Sequence, residues 1–216
     1  MTEQTKIIDK NLIETQQHKL KRHLLFMWLY IFTIYIPFYI VMLIRHDVSV
    51  LSLSVIGWFT GGLHYIGWFL VLTFPFGLYQ LFFLNRHFVG NYRWIYIWSV
   101  VSAIFVAIGG FIPLRWEEQY ELMNHAHVIV SVGASIIFML IILITLVLYA
   151  WKSKHKIVFL SLCGVFAVLL LIGFLVLWTS ALYQFSAVLS FMLVLVVVNS
   201  VSVRNKSKKR SKTINL

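Results

Sequence analysis

The chain reads as an all-α polytopic membrane protein: a six-transmembrane-helix bundle with both termini in the cytoplasm. Three observations predict this. The 216 residues are 61% hydrophobic and only 12% charged, with a mean hydropathy of +0.88, too little charge to clothe a water-soluble domain of this size. The apolar residues fall in runs long enough to cross a hydrocarbon core, which takes about 20 residues as a helix. The net charge of +11 is also lopsided, because 16 of the 18 lysines and arginines fall on one side of a six-span arrangement.

Residues 1–23 form a cytoplasmic N-terminal segment. Ile7, Ile8, Leu12, Ile13 and Leu20 stand among polar residues there, compatible with a short amphipathic surface helix or with a frayed tail. The first span, 24–44, is too long for a signal-peptide core and lacks a small-x-small cleavage site, so it reads as a retained helix. Pro37 falls inside it and Pro75 inside the second span, 62–84, where each is expected to kink its helix. The third span, 94–114, stops at Pro113. The fourth, 127–151, opens on His127, with Asn124 placed to cap it. The fifth, 157–178, carries the single cysteine, Cys163, a small packing residue with no partner for an internal disulfide. The sixth is 180–203, and the basic tail 204–216, "RNKSKKRSK" in its first nine residues, closes the transmembrane domain 24–203.

One stretch does not fit simple counting. Residues 48–61, "VSVLSLSVIGWFTG", would make a seventh span, but that would move the later basic loops to the outside. The charge rule disfavours this. The segment therefore reads as interfacial or re-entrant on the outer face, with Ser49, Ser52 and Ser54 available to satisfy irregular backbone.

The basic residues at 6, 10, 19, 21 and 22, at 86 and 93, at 152, 154 and 156, and in the tail all face inward in this arrangement. Only Arg45 and Arg115 face outward, beside Asp47, Glu117, Glu118 and Glu121. That is the positive-inside pattern, which places both termini in the cytoplasm; the protein is expected in a plasma membrane, the cytoplasmic membrane of a bacterium. The tail is expected to meet anionic membrane lipids. No aromatic residues are interleaved with its charges, which excludes nucleic acid as the expected partner.

No Asp, Glu, Lys or Arg lies mid-span. Coupled transporters use such residues as relays and channels use them as rings, and no internal repeat of the transporter kind is visible. Small residues at one-turn spacing, Ser99, Ala103 and Ala107 and then Ser131 and Ser135, predict close helix packing. Trp28, Trp94, Trp98, Trp116, Trp151 and Trp178 sit near span ends as an aromatic belt. Gln80, Gln184 and Asn199 are expected to join helices by hydrogen bonds.

Polar chemistry concentrates on the outer face. Asp47, Ser52, His64, Arg115, Glu117, Glu121 and His127 are the candidates for a polar pocket there. His64, His127 and Asp47 are expected to converge beneath the loop "EEQYELMN", because each lies within about a turn of its span's outer end. His125 is two positions from His127, so on a continuous helix the two point about 200° apart. Glu121 and His125 share a face if the helix starts early. No cofactor is expected. The alternative is a zinc ion on His64, His127 and Asp47, since histidine and carboxylate are the usual zinc ligands outside thiolate sites.

The outer element "HDVSVLSLSVIGW", the "GGFIP" that closes the third span and the "HAH" that opens the fourth together resemble the uncharacterised DUF998 family. They are similar more distantly to the Frag1/DRAM/Sfk1 group of six-span proteins. The matching positions are Ser52 and Leu53, Gly110 and Pro113, and His125 or His127 ahead of Gly133 and Ala134. Leu114-Arg115 replaces an acidic residue common after the proline. The resemblance implies a six-helix bundle with a polar outer pocket and no established reaction.

Three functions compete on this reading. The first is a lipid- or amphiphile-binding protein or partner subunit, associating with a membrane-protein partner or with itself. The second is a metal-dependent intramembrane hydrolase acting on a lipid. The third is a small dimeric transporter. For the topology, a cysteine introduced at Glu118 is expected to react with an impermeant thiol reagent in intact cells, and one at Ser153 is not. The reverse labelling would overturn the arrangement.

Overall fold

The computed structural model describes residues 3–45, 55, 56, 58, 63–112, 119, 121–153, 156, 157, 159–161, 163, 164, 167, 168 and 181–214. Apart from turns, these residues are helical, and no strand occurs among them. Helix α1 (Glu3–Tyr30) runs through a π-helical turn, Ile31–Tyr35, into α2 (Ile36–Arg45). The reason for the π turn lies two residues beyond it. Pro37 has no amide for the Thr33 carbonyl and its ring crowds that oxygen, so the ladder widens where it must be broken. Helix α3 (Leu63–Leu84) carries Pro75 within it and ends in a second π turn, Asn85–Val89. Then follow α4 (Arg93–Phe111), α5 (Glu121–Lys152) and α6 (Ala181–Ile214).

Five stretches are long and apolar enough to cross a membrane: Gln17–Arg45, His64–Val89, Arg93–Phe111, Glu121–Lys152 and Ser186–Asn205. They correspond to the first four predicted spans and the sixth. Most of the fifth, 157–178, lies outside the described residues, and those of it that are described are helical. Of the segment 48–61, only Val55, Ile56 and Trp58 are described. All three are helical, and Ile56 is buried in one core cluster with Met42 and Ile66. Large apolar side chains such as Leu25, Phe32, Val71, Ile104 and Leu140 stand exposed around the bundle. So extensive an apolar exterior suits hydrocarbon, not water.

Two ends can be distinguished by their turns. At one end, Asn85 organises the link from α3 to α4. Its side-chain amide donates to the Tyr92 carbonyl (2.9 Å) and its side-chain oxygen accepts from the Tyr92 amide (3.0 Å). Its own carbonyl accepts from the amides of Gly90 and Asn91. To fit this, Gly90 and Asn91 both take positive φ (147° and 58°), a conformation that glycine and asparagine tolerate best. Lys152, at the end of α5, donates to the Val89 carbonyl and lies 5.5 Å from the centre of the Tyr92 ring. A basic residue that the charge rule counts as a topological signal therefore also closes a turn.

The first and last helices pair along their length. Trp28 Nε1 donates to Ser200 Oγ (3.2 Å), Tyr39 and Ser186 share a hydrogen bond (3.0 Å), and Asn199 Nδ2 donates to the Gln80 carbonyl of α3 (3.3 Å). Asn199 thus joins helices as its mid-span position predicts. Most helix hydroxyls bond within their own helix: Ser99 to the Ile95 carbonyl, Ser135 to that of Ser131, Thr145 to that of Ile141 and Ser190 to that of Ser186. This is how a serine lives at low polarity without a partner helix.

The most intimate helix contact among the described residues is between α4 and α5, and it is made by Gly109. A Cβ built on Gly109 would lie 2.6 Å from the Ser131 amide nitrogen and 2.7 Å from its Cα. Backbone therefore meets backbone, which only glycine permits. The small-residue stripe read from the sequence names Ser131 correctly but not its partner: Ala103 and Ala107 border α3 instead. Gly109→Ala is expected to destabilise the protein by about 1–3 kcal/mol, the usual cost of forced overpacking. Gly67→Ala, whose Cβ meets nothing nearer than Phe111 Cζ at 4.0 Å, is expected to be neutral or stabilising. Thermal unfolding in detergent measures both, and equal midpoints for the two variants would contradict this packing.

Candidate functional site

His127 lies just inside α5 and is only 3% exposed. Its Nδ1 is 2.9 Å from the carbonyl oxygen of Ile112. A carbonyl can only accept, so Nδ1 carries the proton and donates. Ile112 is the extended residue that ends α4, and its amide returns to the Gly109 carbonyl at 3.2 Å. One turn into α5, Ser131 donates to the His127 carbonyl. His127 therefore seals the exit of α4 against the start of α5, next to the Gly109 contact.

The helix begins at Glu121, so Asn124 is an interior residue of the first turn and not the cap the sequence suggests. His125 and Glu121 form an exposed pair 4.0 Å apart, of the kind that contributes little to stability. His125 and His127 occupy one continuous helix, the first exposed and the second buried.

His64 is exposed in the first turn of α3, its ring centre 4.0 Å from that of Tyr65. Arg45, closing α2, donates to the Tyr65 hydroxyl at 3.3 Å. Arg45, Tyr65 and His64 thus make a polar, cationic group at the end of the bundle opposite Asn85. Asp47, Ser52, Arg115 and Glu117 lie outside the described residues. Among the described residues, no three His, Cys, Asp or Glu side chains cluster closely enough to hold a metal ion.

Two hollows stand out. One is a cavity of about 180 Å³ within the bundle, bordered by α3, α4, α5 and α6. Its wall is mostly aromatic and aliphatic, as at Phe69, Val106, Phe138 and Phe191, with Thr73, Ser131, Ser135 and Gln184 as polar points. Ser131 and Ser135 donate to their own helix but keep lone pairs as acceptors. Thr73 differs: its hydroxyl is buried and turned away from the cavity toward the Tyr35 hydroxyl, and the two find no other partner among the described residues.

The other hollow is a groove of about 540 Å³ on the outside of α3 and α4, with His64, Gly67, Ala103 and Ala107 along it. The sequence marks Ser131 and Ser135 as packing residues, and nothing in it singles out Thr73, whose partner Tyr35 lies on another helix.

Comparison with known proteins finds no counterpart: no family model, no curated protein and no solved structure matches the chain.

His127→Ala is expected to lower the unfolding midpoint, because it leaves the Ile112 carbonyl unpaired at a cost of about 1–3 kcal/mol. His125→Ala is expected to leave the midpoint unchanged. If the two substitutions cost the same, His127 does not seal the helix end.

Proposed function

We propose that this is a six-span plasma-membrane protein, both termini cytoplasmic, that binds a small apolar or amphiphilic molecule within its helix bundle. The kinship with the DUF998-like six-span proteins belongs to the same proposal. The observation that supports binding is the mostly apolar cavity with Ser131, Ser135 and Gln184 as polar points on its wall. An apolar cavity of about 150 Å³ is large enough to hold benzene, so about 180 Å³ takes a small ring or the end of an acyl chain.

A mostly apolar wall with a few polar points is the usual form of a small-molecule site. A ligand hydroxyl can donate to the side-chain oxygens of Ser131 and Ser135, which keep lone pairs as acceptors, with Gln184 as a further contact. The five apolar helices and their exposed apolar side chains support the membrane setting. The one-sided distribution of basic residues supports its orientation.

Octanol is a suitable probe, since it joins one hydroxyl to a short chain. It is expected to raise the unfolding midpoint of the purified protein. Gly77→Leu projects into the cavity beside the Phe138 ring, where a Cβ finds ordinary contact at 3.7 Å, and is expected to abolish that rise. Ser135→Ala removes an acceptor from the cavity wall and is expected to weaken binding several-fold, about 1 kcal/mol for one hydrogen bond. Equal stabilisation of the Gly77→Leu protein by octanol would place the binding elsewhere.

A further inference from the structure

The groove and the cavity share two walls. Leu70 and Phe74 line both, so these two side chains of α3 stand between the groove and the interior at that level. The groove faces hydrocarbon, since Val71 and Ile104 on its sides are 60% and 53% exposed. Its residues are apolar along its length except at one end, where His64 stands with Tyr65 and Arg45. Phe74 immediately precedes Pro75, which supplies no amide to the Val71 carbonyl. The helix is therefore least braced beside the shared wall.

From this we propose that the α3–α4 groove is a binding site for one acyl chain of an anionic membrane amphiphile. The chain reaches the cavity from the bilayer past Leu70 and Phe74, and the headgroup rests at His64 and Arg45. The proposal rests on the cavity reading above and adds the ligand class and its route. Hydrocarbon is the medium against the groove, so an acyl chain reaches it without crossing water. The cationic rim selects the charge: a carboxylate or phosphate beside Arg45 and His64 gains hydrogen bonds that an uncharged headgroup cannot match. The cavity holds one chain end by size. Gly67 keeps the groove open, because a side chain there would project into space bounded only by Phe111.

The test uses the full chain in lipid nanodiscs. The probe is palmitic acid carrying a diazirine at its chain end, with the corresponding alcohol for comparison, and photo-adducts are located by mass spectrometry. In the unaltered protein the acid is expected to mark the α5 side of the cavity, between Ser131 and Ile142. Gly67→Phe fills the groove and is expected to slow cavity labelling by roughly ten-fold, since a blocked route acts on rates. Leu140→Phe, a bilayer-facing change on α5, is expected to have no effect. Gly67→Leu repeats the block with a smaller side chain should the phenylalanine variant fold poorly.

Gly77→Leu is expected to shift adducts out of the cavity onto Trp68 and Ile104 of the groove. Replacing His64 with Ala and Arg45 with Gln together is expected to erase the preference for acid over alcohol. Cavity labelling at the same rate in the Gly67 variants and the Leu140 control overturns the route while leaving the cavity reading intact. Equal labelling by acid and alcohol in the unaltered protein overturns the headgroup assignment. Absence of any cavity adduct in the unaltered protein overturns the cavity reading itself.

Discussion

The architecture turns on the contact between Gly109 and Ser131, where two helix backbones touch with no side chain between them. A bilayer gives no hydrophobic drive for one apolar helix to seek another, so close packing and hydrogen bonds must supply the attraction. At this contact the two occur together. One turn away, His127 donates to the Ile112 carbonyl, which would otherwise be an orphan at the end of α4. The pair fixes the separation and the rotation of α4 and α5. It thereby sets where Val106 and Gly110 on one helix, and Ser131 and Ser135 on the other, meet the interior space. A side chain at position 109 would push α5 away and change the shape of the cavity beside it.

That arrangement also shows why polar residues in this bundle divide into two kinds. Most serines and threonines are content within their helix, donating four residues back, and ask nothing of their neighbours. A few cannot do so. Asn85 and His127 have side chains too long or wrongly directed, and each is spent on a backbone group at a helix end. Thr73 and Tyr35 are buried hydroxyls that face each other and find no other partner among the described residues. The Gln80 side-chain amide, fully buried, has no partner among the described residues. Such groups are rare in folded proteins and usually have an explanation in a ligand, an ion or a water.

Much of the fold was legible in the sequence and much of the site was not. The bounds of α4 follow from signals that act locally. Gly90, with its positive φ, opens the turn before Arg93, and the Gly-Gly-Phe-Ile-Pro run ends the helix. The all-helical character and the apolar helix lengths follow from composition and spacing alone. The π turn at Asn85–Val89 was hidden, because it exists to let Asn85 capture the backbone of Tyr92 seven residues away. His127 was recognisable as a costly polar group near a span end, but its partner is a main-chain carbonyl, which every residue possesses and no sequence can flag. The cavity was invisible for a related reason. It is defined by what Gly77 and Gly110 lack and by how far α3 and α6 stand from α5, quantities that belong to packing rather than to any motif.

The pairing of the first helix with the last has a consequence for how the protein comes into being. Trp28 and Ser200 are separated by 172 residues, as are Met27 and Asn199. A chain made from its N-terminus inserts α1 long before its partner exists. Until α6 arrives, the indole N–H of Trp28 and the sulfur of Met27 face lipid or a provisional neighbour. Closure of the bundle is then a late event that joins a helix made early to one made 172 residues later. A newborn chain halted before residue 199 would carry an open seam along α1, the kind of surface that membrane quality control is built to notice.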